Sequence, residues 1–333
     1  MLRTISRLFK LCLFLLLVLA AVVGWYATQP LSLRQPTVDF EIARGESMRL
    51  ISRKVADAGV EVWPPALSWL ARLSGHSIRI KAGSYRIDKP LTAWELVSLL
   101  STGANAYSDV ALIEGWNFAR VRAVLNAHPE LAHETAVLSD AEIMVRLGAP
   151  GTLPEGLFAP DTYSFSRGSS DLELLRRAQQ RMQQQLQREW QERAQNLPLK
   201  TPYEALVLAS VVEKETGQAQ DRAQIASVFI NRLRIGMPLQ SDPTVIYGMG
   251  PGFDGNLRRR DLQADTSFNS YTRGGLPPTP IAMPSVAALR ATLHPASGNY
   301  LYFVARGDGS SEFSRTLEEH NRAVQRYQKS GKK

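Results

Sequence analysis

The sequence predicts an α+β protein built as an N-terminal transmembrane helix, a small α+β module and a larger domain that mixes helices with β-structure. Three observations carry that reading. Leu11–Ala27 runs without a charged residue. The chain after it alternates strand-like and helix-like periodicity over a short span. Beyond residue 104, apolar helical stripes are separated by long loops rich in turn formers and aromatic residues.

The uncharged run reads LCLFLLLVLAAVVGWYA and is 17 residues long, at the short end of what spans a bilayer as a helix. Arg3, Arg7 and Lys10 precede it, whereas Arg34 is the near basic residue on the other side. The excess of positive charge before the run places residues 1–10 in the cytoplasm and everything after it outside. Trp25 and Tyr26 stand where interfacial aromatics anchor such a helix. A cleaved signal peptide is the rival. It is disfavoured because Val22-Val23 continue the run past Ala20-Ala21 and no polar stretch leads to a cleavage site. Cys12, the single cysteine, lies inside the run. It leaves no partner for a disulfide and no basis for a cysteine metal site.

Residues 28–37 hold Pro30 and Pro36 and read as a linker. Val38–Ile42 alternates apolar and polar residues as a half-buried strand does. Ser47–Ala58 and Pro64–Leu73 have helical spacing, and Ile78-Arg79-Ile80 and Gly83–Ile87 read as short strands. Thr92 followed by Glu95 is a capping box for a helix running to Leu100. Residues 38–103 therefore form a small α+β module, with a second domain over 104–333.

In that domain Tyr107–Ile113 reads as a strand, with helices at Phe118–Ala127 and Ala141–Leu147. A long amphipathic helix spans Ser170 to about Asn196, with Ser170 and Glu173 as its capping box. The most informative segment is Thr201–Gly217. Thr201 is a good N-cap, Pro202 suits the first helical position, and Glu204 completes a box. Ala205–Val212 is almost wholly apolar, which marks a buried helix ending near Gly217. Glu213 falls in its last turn. Ala209, Ser210 and Thr216 share its face and are small enough to leave room for a bulky substrate. A carboxyl group at the end of so apolar a helix is partly desolvated, the condition for a proton donor near neutral pH. Glu215, two positions on, is expected to face away as a solvated surface charge.

The formal net charge is +8, with 44% hydrophobic and 21% charged residues. The charge suits an anionic partner: nucleic acid, a membrane surface or an acidic polymer such as cell wall. No base-reading motif is present, so nucleic acid is not expected. The five histidines form no HExxH or close-set pair, and neither a metal nor a cofactor is expected. Loops carrying aromatics, Asn and Asp suit a carbohydrate groove.

Taken together, Glu155-Gly156, Pro160-Asp161-Thr162-Tyr163, Ala209–Thr216, Asn231-Arg232, Ser241–Tyr247 and Gly275-Leu276-Pro277-Pro278 resemble the endolytic murein transglycosylases, the YceG-like proteins. The likeness runs from the apolar segment to His320-Asn321. It implies that 38–103 is similar to a LysM carbohydrate-binding module and that 104–333 is the transglycosylase domain. The family's catalytic glutamate maps onto Glu213. The implied reaction is lytic cleavage between MurNAc and GlcNAc within a peptidoglycan strand, leaving a 1,6-anhydro-MurNAc end. The implied setting is the periplasmic face of the inner membrane, beside peptidoglycan synthases or penicillin-binding proteins, with the enzyme ending strand growth. Asp242, Tyr247 and Asn269 are candidate substrate contacts, with structural roles as the alternative. Two places depart from the family pattern. Met283-Pro284-Ser285 stands where an NPG-like triplet is usual, and Ser311-Glu312 where a histidine often precedes Phe-Ser. The competing functions are a hydrolytic muramidase pairing Glu213 with Asp242 or Glu204, and a non-catalytic wall-binding scaffold.

The topology has a direct test. An alkaline phosphatase fused at position 60 should be active, and the mature protein should retain its own N-terminus by mass spectrometry. An inactive fusion, or a chain beginning near Val22, would overturn the assignment.

Overall fold

The computed structural model describes residues 10, 13–14, 17–18, 21–103, 107–166 and 168–329. The Leu11–Ala27 run lies in part outside these residues. Among the described residues no helix is long and apolar enough to cross a membrane. The chain divides into two compact units, residues 1–109 with 164–168 and residues 110–163 with 169–333. Among the described residues every sheet has two strands, so helix packing carries most of the architecture.

The smaller unit opens with Pro30–Leu31 (β1), followed by Val38–Ile42 (β2), Met48–Ala58 (α1) and Pro64–Leu73 (α2). Gly83–Ile87 (β3), Leu91–Thr92 (β4) and Ala93–Thr102 (α3) complete it. β2 and β3 pair antiparallel, Val38 opposite Ile87 and Ile42 opposite Gly83. The alternation of β2 sends Val38 and Ile42 into the core with Ile51, Val55, Leu67, Tyr85, Ile87 and Leu96. Ser52 on α1 and Ser68 on α2 are buried and bond each other at 2.9 Å, which satisfies both hydroxyls. α3 starts with the capping box expected from Thr92 and Glu95.

Two expectations for this unit need correction. Residues 28–37 are not a free linker, because β1 pairs with β4 and Leu31 is buried. Ile78-Arg79-Ile80 is a turn rather than a strand. The Arg79 N–H donates to the carbonyl of His76, and Ile78 is 88% exposed, so no sheet or core holds the segment extended.

The third sheet pairs Tyr107–Leu112 (β5) with Asp161–Ser166 (β6), and the division between the units falls within these two strands. The larger unit then contains Phe118–Ala127 (α4), Asp140–Arg146 (α5), Asp171–Gln191 (α6), Pro202–Glu215 (α7) and Ala219–Arg234 (α8). After these come Asp242–Met249 (α9), Arg259–Gln263 (α10), Val286–Leu293 (α11), a hairpin of Tyr302–Ala305 (β7) and Ser311–Ser314 (β8), and Leu317–Val324 (α12). α7 is the hub. Ala205 to Val212 are all buried, and the helix packs on α6, α8, α9 and α11.

The helix signals resolve in detail. Thr201 caps α7 by accepting from Glu204 N, but the Glu204 carboxylate accepts from Lys200 N instead of completing the box. Ser170 caps α6 through Leu172 N rather than pairing with Glu173. α7 ends at Glu215 with Thr216 already extended, so Gly217 is not its left-handed cap. An ion pair from the exposed Arg290 to the buried Glu189, at 2.8 Å, ties α11 to α6.

Gly156 is required where it stands. Its φ is +78°, and a Cβ there would lie 2.5 Å from Pro280 Cβ and 3.3 Å from the carbonyl oxygen of Ala282. Gly156→Ala should therefore destabilise the larger unit by about 2–4 kcal/mol, strain and overpacking combined. Thermal unfolding of the variant checks this.

Candidate active site

The site is assembled on the C-terminal end of α7. The segment Ile281–Ser285 lies along the helix face formed by Ala209, Ser210 and Glu213. Ser210 Oγ, fully buried, donates to Val207 O at 2.6 Å and accepts the N–H of Ile281 at 3.0 Å. One helical turn later, Ser285 donates twice to Glu213 Oε2, from its N–H at 2.9 Å and its Oγ at 2.5 Å. Ser285 is also the N-cap of α11, its Oγ accepting from Ala288 N. The small residues on the Glu213 face therefore admit a neighbouring chain segment, where the sequence reading expected open room for substrate.

Glu213 itself is partly exposed. Both bonds from Ser285 use Oε2, and among the described residues Oε1 has no protein partner. The carboxyl group is thus fixed by one oxygen and free at the other. Gly115, with φ +75°, runs beside it. A Cβ on Gly115 would sit 3.9 Å from Glu213 Cγ and 3.6 Å from Lys214 Cδ. Gly115 N–H donates to Met283 O at 2.9 Å and Met283 N–H to Trp116 O at 2.8 Å. That short ladder sets the path of the chain into Ser285.

A second carboxyl group, Glu155, is buried and supports the same segment. It accepts from Phe118 N at 3.0 Å and from Tyr247 Oη at 3.0 Å. The adjoining Gly156 packs on Pro280. Burial pushes the Glu155 carboxyl up to about 7, against the hydrogen bonds from Tyr247 and Phe118. Burial, with the neighbouring Glu155 charge, also raises the Tyr247 hydroxyl.

A third lies at Glu215, and here the expectation is overturned. Its carboxylate accepts from Ser241 Oγ at 2.5 Å, and desolvation raises it to about 7, with Asp242 adding to the rise. It is an enclosed carboxyl group and not a solvated surface charge. α9 starts beside the end of α7 and covers this side of the last turn.

The four residues marked in the sequence therefore have different fates. Glu213 occupies the centre. Tyr247 reaches Glu155. Asp242 accepts from Tyr271 Oη at 2.6 Å on the Glu215 side. Asn269 is fully buried, its amide nitrogen donating to the carbonyls of Leu262 and Ala264 and its oxygen accepting from Tyr271 N. It holds a loop together and is not brought to Glu213. Sequence reasoning missed Ser285 and the role of Glu155. The signal for Ser285 was its place in Met283-Pro284-Ser285, which reads as a departure from pattern rather than as a donor. The other departure, Ser311-Glu312, lies in β8, where Ser311 N donates to Asp221 Oδ2 at 2.6 Å and Glu312 pairs with Arg306. Asn231 and Arg232 likewise act structurally, bonding the carbonyls of Gly298, Tyr300, Leu301 and Leu239.

The raised carboxyls set a pH dependence. Glu155 and Glu215 hold protons in the fold up to about 7, whereas in the unfolded chain they release them near the ordinary value of 4.5. Between these values the folded state binds more protons, so stability falls as pH rises. The melting temperature should be higher at pH 5.5 than at pH 8. Glu155→Gln with Glu215→Gln should flatten that slope, and an unchanged slope would contradict it.

The profile of the YceG-like family matches residues 40–326. An endolytic murein transglycosylase of Bacillus subtilis is 29% identical over 308 residues, covering 87% of this chain and 85% of the relative. A Streptococcus pneumoniae protein of the same name is 26% identical over 317 residues, and the match covers 85% of this chain and 57% of that protein. A crystal structure of a yceG-like protein from Listeria monocytogenes aligns with a TM-score of 0.54 at 26% identity, over 86% of this chain and 98% of the other. The chain belongs to the YceG-like family.

Proposed function

We propose that the protein is an endolytic lytic transglycosylase of peptidoglycan and that Glu213 is its acid and base. The observation that carries the reading is the half-committed carboxyl group, with Oε2 held by Ser285 and Oε1 without a protein partner among the described residues. A proton on Oε1 passes to the glycosidic oxygen between MurNAc and GlcNAc as positive charge develops at MurNAc C1. The same oxygen, now basic, takes the proton from the sugar's own C6 hydroxyl, which attacks C1. One bond breaks and one forms, and a 1,6-anhydro-MurNAc end results without water.

Because the nucleophile belongs to the substrate, no second carboxylate is needed. Paired-carboxylate hydrolysis asks for a partner about 5–9.5 Å away. Glu204 is nine positions back on the same helix, roughly 13 Å along its axis, and faces Lys200 N. Asp242 is engaged by Tyr271. Neither geometry favours the muramidase alternative.

In this reading the apolar run that starts at Leu11, with Arg3, Arg7 and Lys10 before it, anchors the protein in the inner membrane with both units in the periplasm, while its last residues Val23, Tyr26 and Ala27 pack on the smaller unit. The enzyme cuts nascent strands beside the synthases that make them and so ends their growth. The β2-α1-α2-β3 arrangement of the smaller unit supports a LysM-like role in holding glycan, and Tyr247 and Asp242 border the substrate path on either side of the Glu213 turn.

Glu213→Gln should leave the fold intact and lower strand cleavage by roughly 10²–10⁴-fold, the worth of a positioned general acid. Ser285→Ala should cost less, roughly 10- to 100-fold in kcat, through loss of alignment. Products from purified glycan strands should end in anhydro-MurNAc by mass spectrometry and contain no oxygen from labelled water. Label at the new terminus would make the protein a hydrolase, and full activity in Glu213→Gln would remove the assignment.

A further inference from the structure

The smaller unit carries a second feature that strand cleavage does not use. Arg49 and Arg53 stand one turn apart on α1, and Arg72 stands on α2. Together with Pro64, Pro65, Ser68 and Trp69 they line a groove of about 410 Å³. All three arginines are exposed, and no acidic side chain lines the groove. Among the described residues none of the three is in an ion pair. The neighbouring Lys54, by contrast, is paired with Glu46. Arg72 lies over the Trp69 ring at 5.7 Å. Trp69 is 61% exposed and Trp63, which precedes Pro64, is 68% exposed. A basic cluster left without counter-charge is unfavourable by self-repulsion unless an anion completes it. Exposed indoles beside it add an apolar component that a small soluble anion would not satisfy.

From this we infer that the α1–α2 face docks on an anionic phospholipid surface, the three guanidinium groups engaging lipid phosphates and Trp63 and Trp69 entering the headgroup layer. Arginine matches phosphate oxygens with two parallel donors, and tryptophan prefers the interface between headgroups and acyl chains. Position favours lipid over a wall polymer. Ala27, the last residue of the apolar run, belongs to the core of this same unit, and Val23 and Tyr26 pack against it. No spacer separates the run from the unit, so an anchored chain holds this unit at the bilayer. The proximity argument rests on the anchor proposed above, whereas the charge and aromatic pattern do not. Three arginines near an anionic leaflet strengthen local partition by roughly 100-fold at moderate salt, and high salt screens the effect.

The test uses the full chain in nanodiscs of phosphatidylcholine alone or mixed with phosphatidylglycerol, with acyl chains brominated on one lipid at a time. The emission of Trp69 is taken as the difference between wild type and Trp69→Phe. Brominated phosphatidylglycerol should quench it, brominated phosphatidylcholine in discs lacking the anionic lipid should not, and quenching should disappear in high salt and in Arg49→Gln/Arg53→Gln/Arg72→Gln. The inference is overturned if an embedded chain shows no such difference. It is equally overturned if inorganic phosphate alone alters Trp69 emission in an arginine-dependent way, or if purified glycan strands do so while the anionic lipid does not. A chain that fails to embed would sink the anchor and move the test to flotation with phosphatidylglycerol vesicles. Arginine-dependent flotation would then sustain the docking face, and its absence would end it.

Discussion

The larger unit depends on how the chain at 281–285 lies against the last turns of α7. Two serine hydroxyls fix that contact. Ser210, inside the helix, spends its hydroxyl on holding Ile281 N–H, and Ser285, at the start of α11, spends its own on Glu213. The first bond is buried and the second part-buried, so the segment is pinned from the core outward. A buried N–H left without an acceptor costs about 1–3 kcal/mol. Ser210 therefore fixes the register of the segment, and that register delivers Ser285 to the carboxyl group. α11 then packs Ala288 and Leu289 against Ala209 and Leu206, which keeps its N-terminus from drifting.

The same logic explains why two other carboxyl groups surround this point. Glu155 holds the loop that carries Gly156 onto Pro280, and it reaches across to the first turn of α4 and to Tyr247. Glu215 holds the start of α9 through Ser241. Each is desolvated and each has hydroxyl or amide donors, a combination that keeps a carboxyl group in place without a cation. The cations near this turn bond neither carboxyl group: Lys214 places its ammonium on the carbonyl of Gly115, and Arg232 acts on Glu215 only through space.

Much of this was legible in the sequence, and the remainder was not for physical reasons. The apolar stretch Ala205–Val212 could only be a buried helix, and Thr201, Pro202 and Thr92-Glu95 mark helix starts because unpaired N–H groups at those ends need acceptors. The place of Glu213 follows from the helix alone. Glu215 was misread because helix periodicity reports which way a side chain leaves its own helix, and not what another element lays over it. α9, starting 27 positions later in the chain, encloses it. For Asn269 the sequence left both a substrate contact and a structural role open, for a related cause. An Asn in a loop suits sugar recognition and loop closure equally, and only its burial decides between them. Ile78-Arg79-Ile80 alternates like a strand, but the strand pairs of this unit are β1 with β4 and β2 with β3.

Glu213 and Glu215 are the same residue type on one helix, two positions apart, and the fold gives them different surroundings, which suit the acid/base role proposed for Glu213 and a structural one for Glu215. The difference lies in how much of each carboxyl group the protein uses. Ser285 takes one oxygen of Glu213 from outside the helix and leaves the other, so this group is oriented but not enclosed. Ser241 closes over Glu215 while Asp242 and Tyr271 fill the space beyond it, so this group is enclosed and structural. A general acid must keep one oxygen free and within hydrogen-bond reach of the atom it protonates. A residue that holds two elements together must not. The two surroundings lie within a single turn because α9 covers the helix end beside Glu215 while α11 brings its capping Ser285 to Glu213.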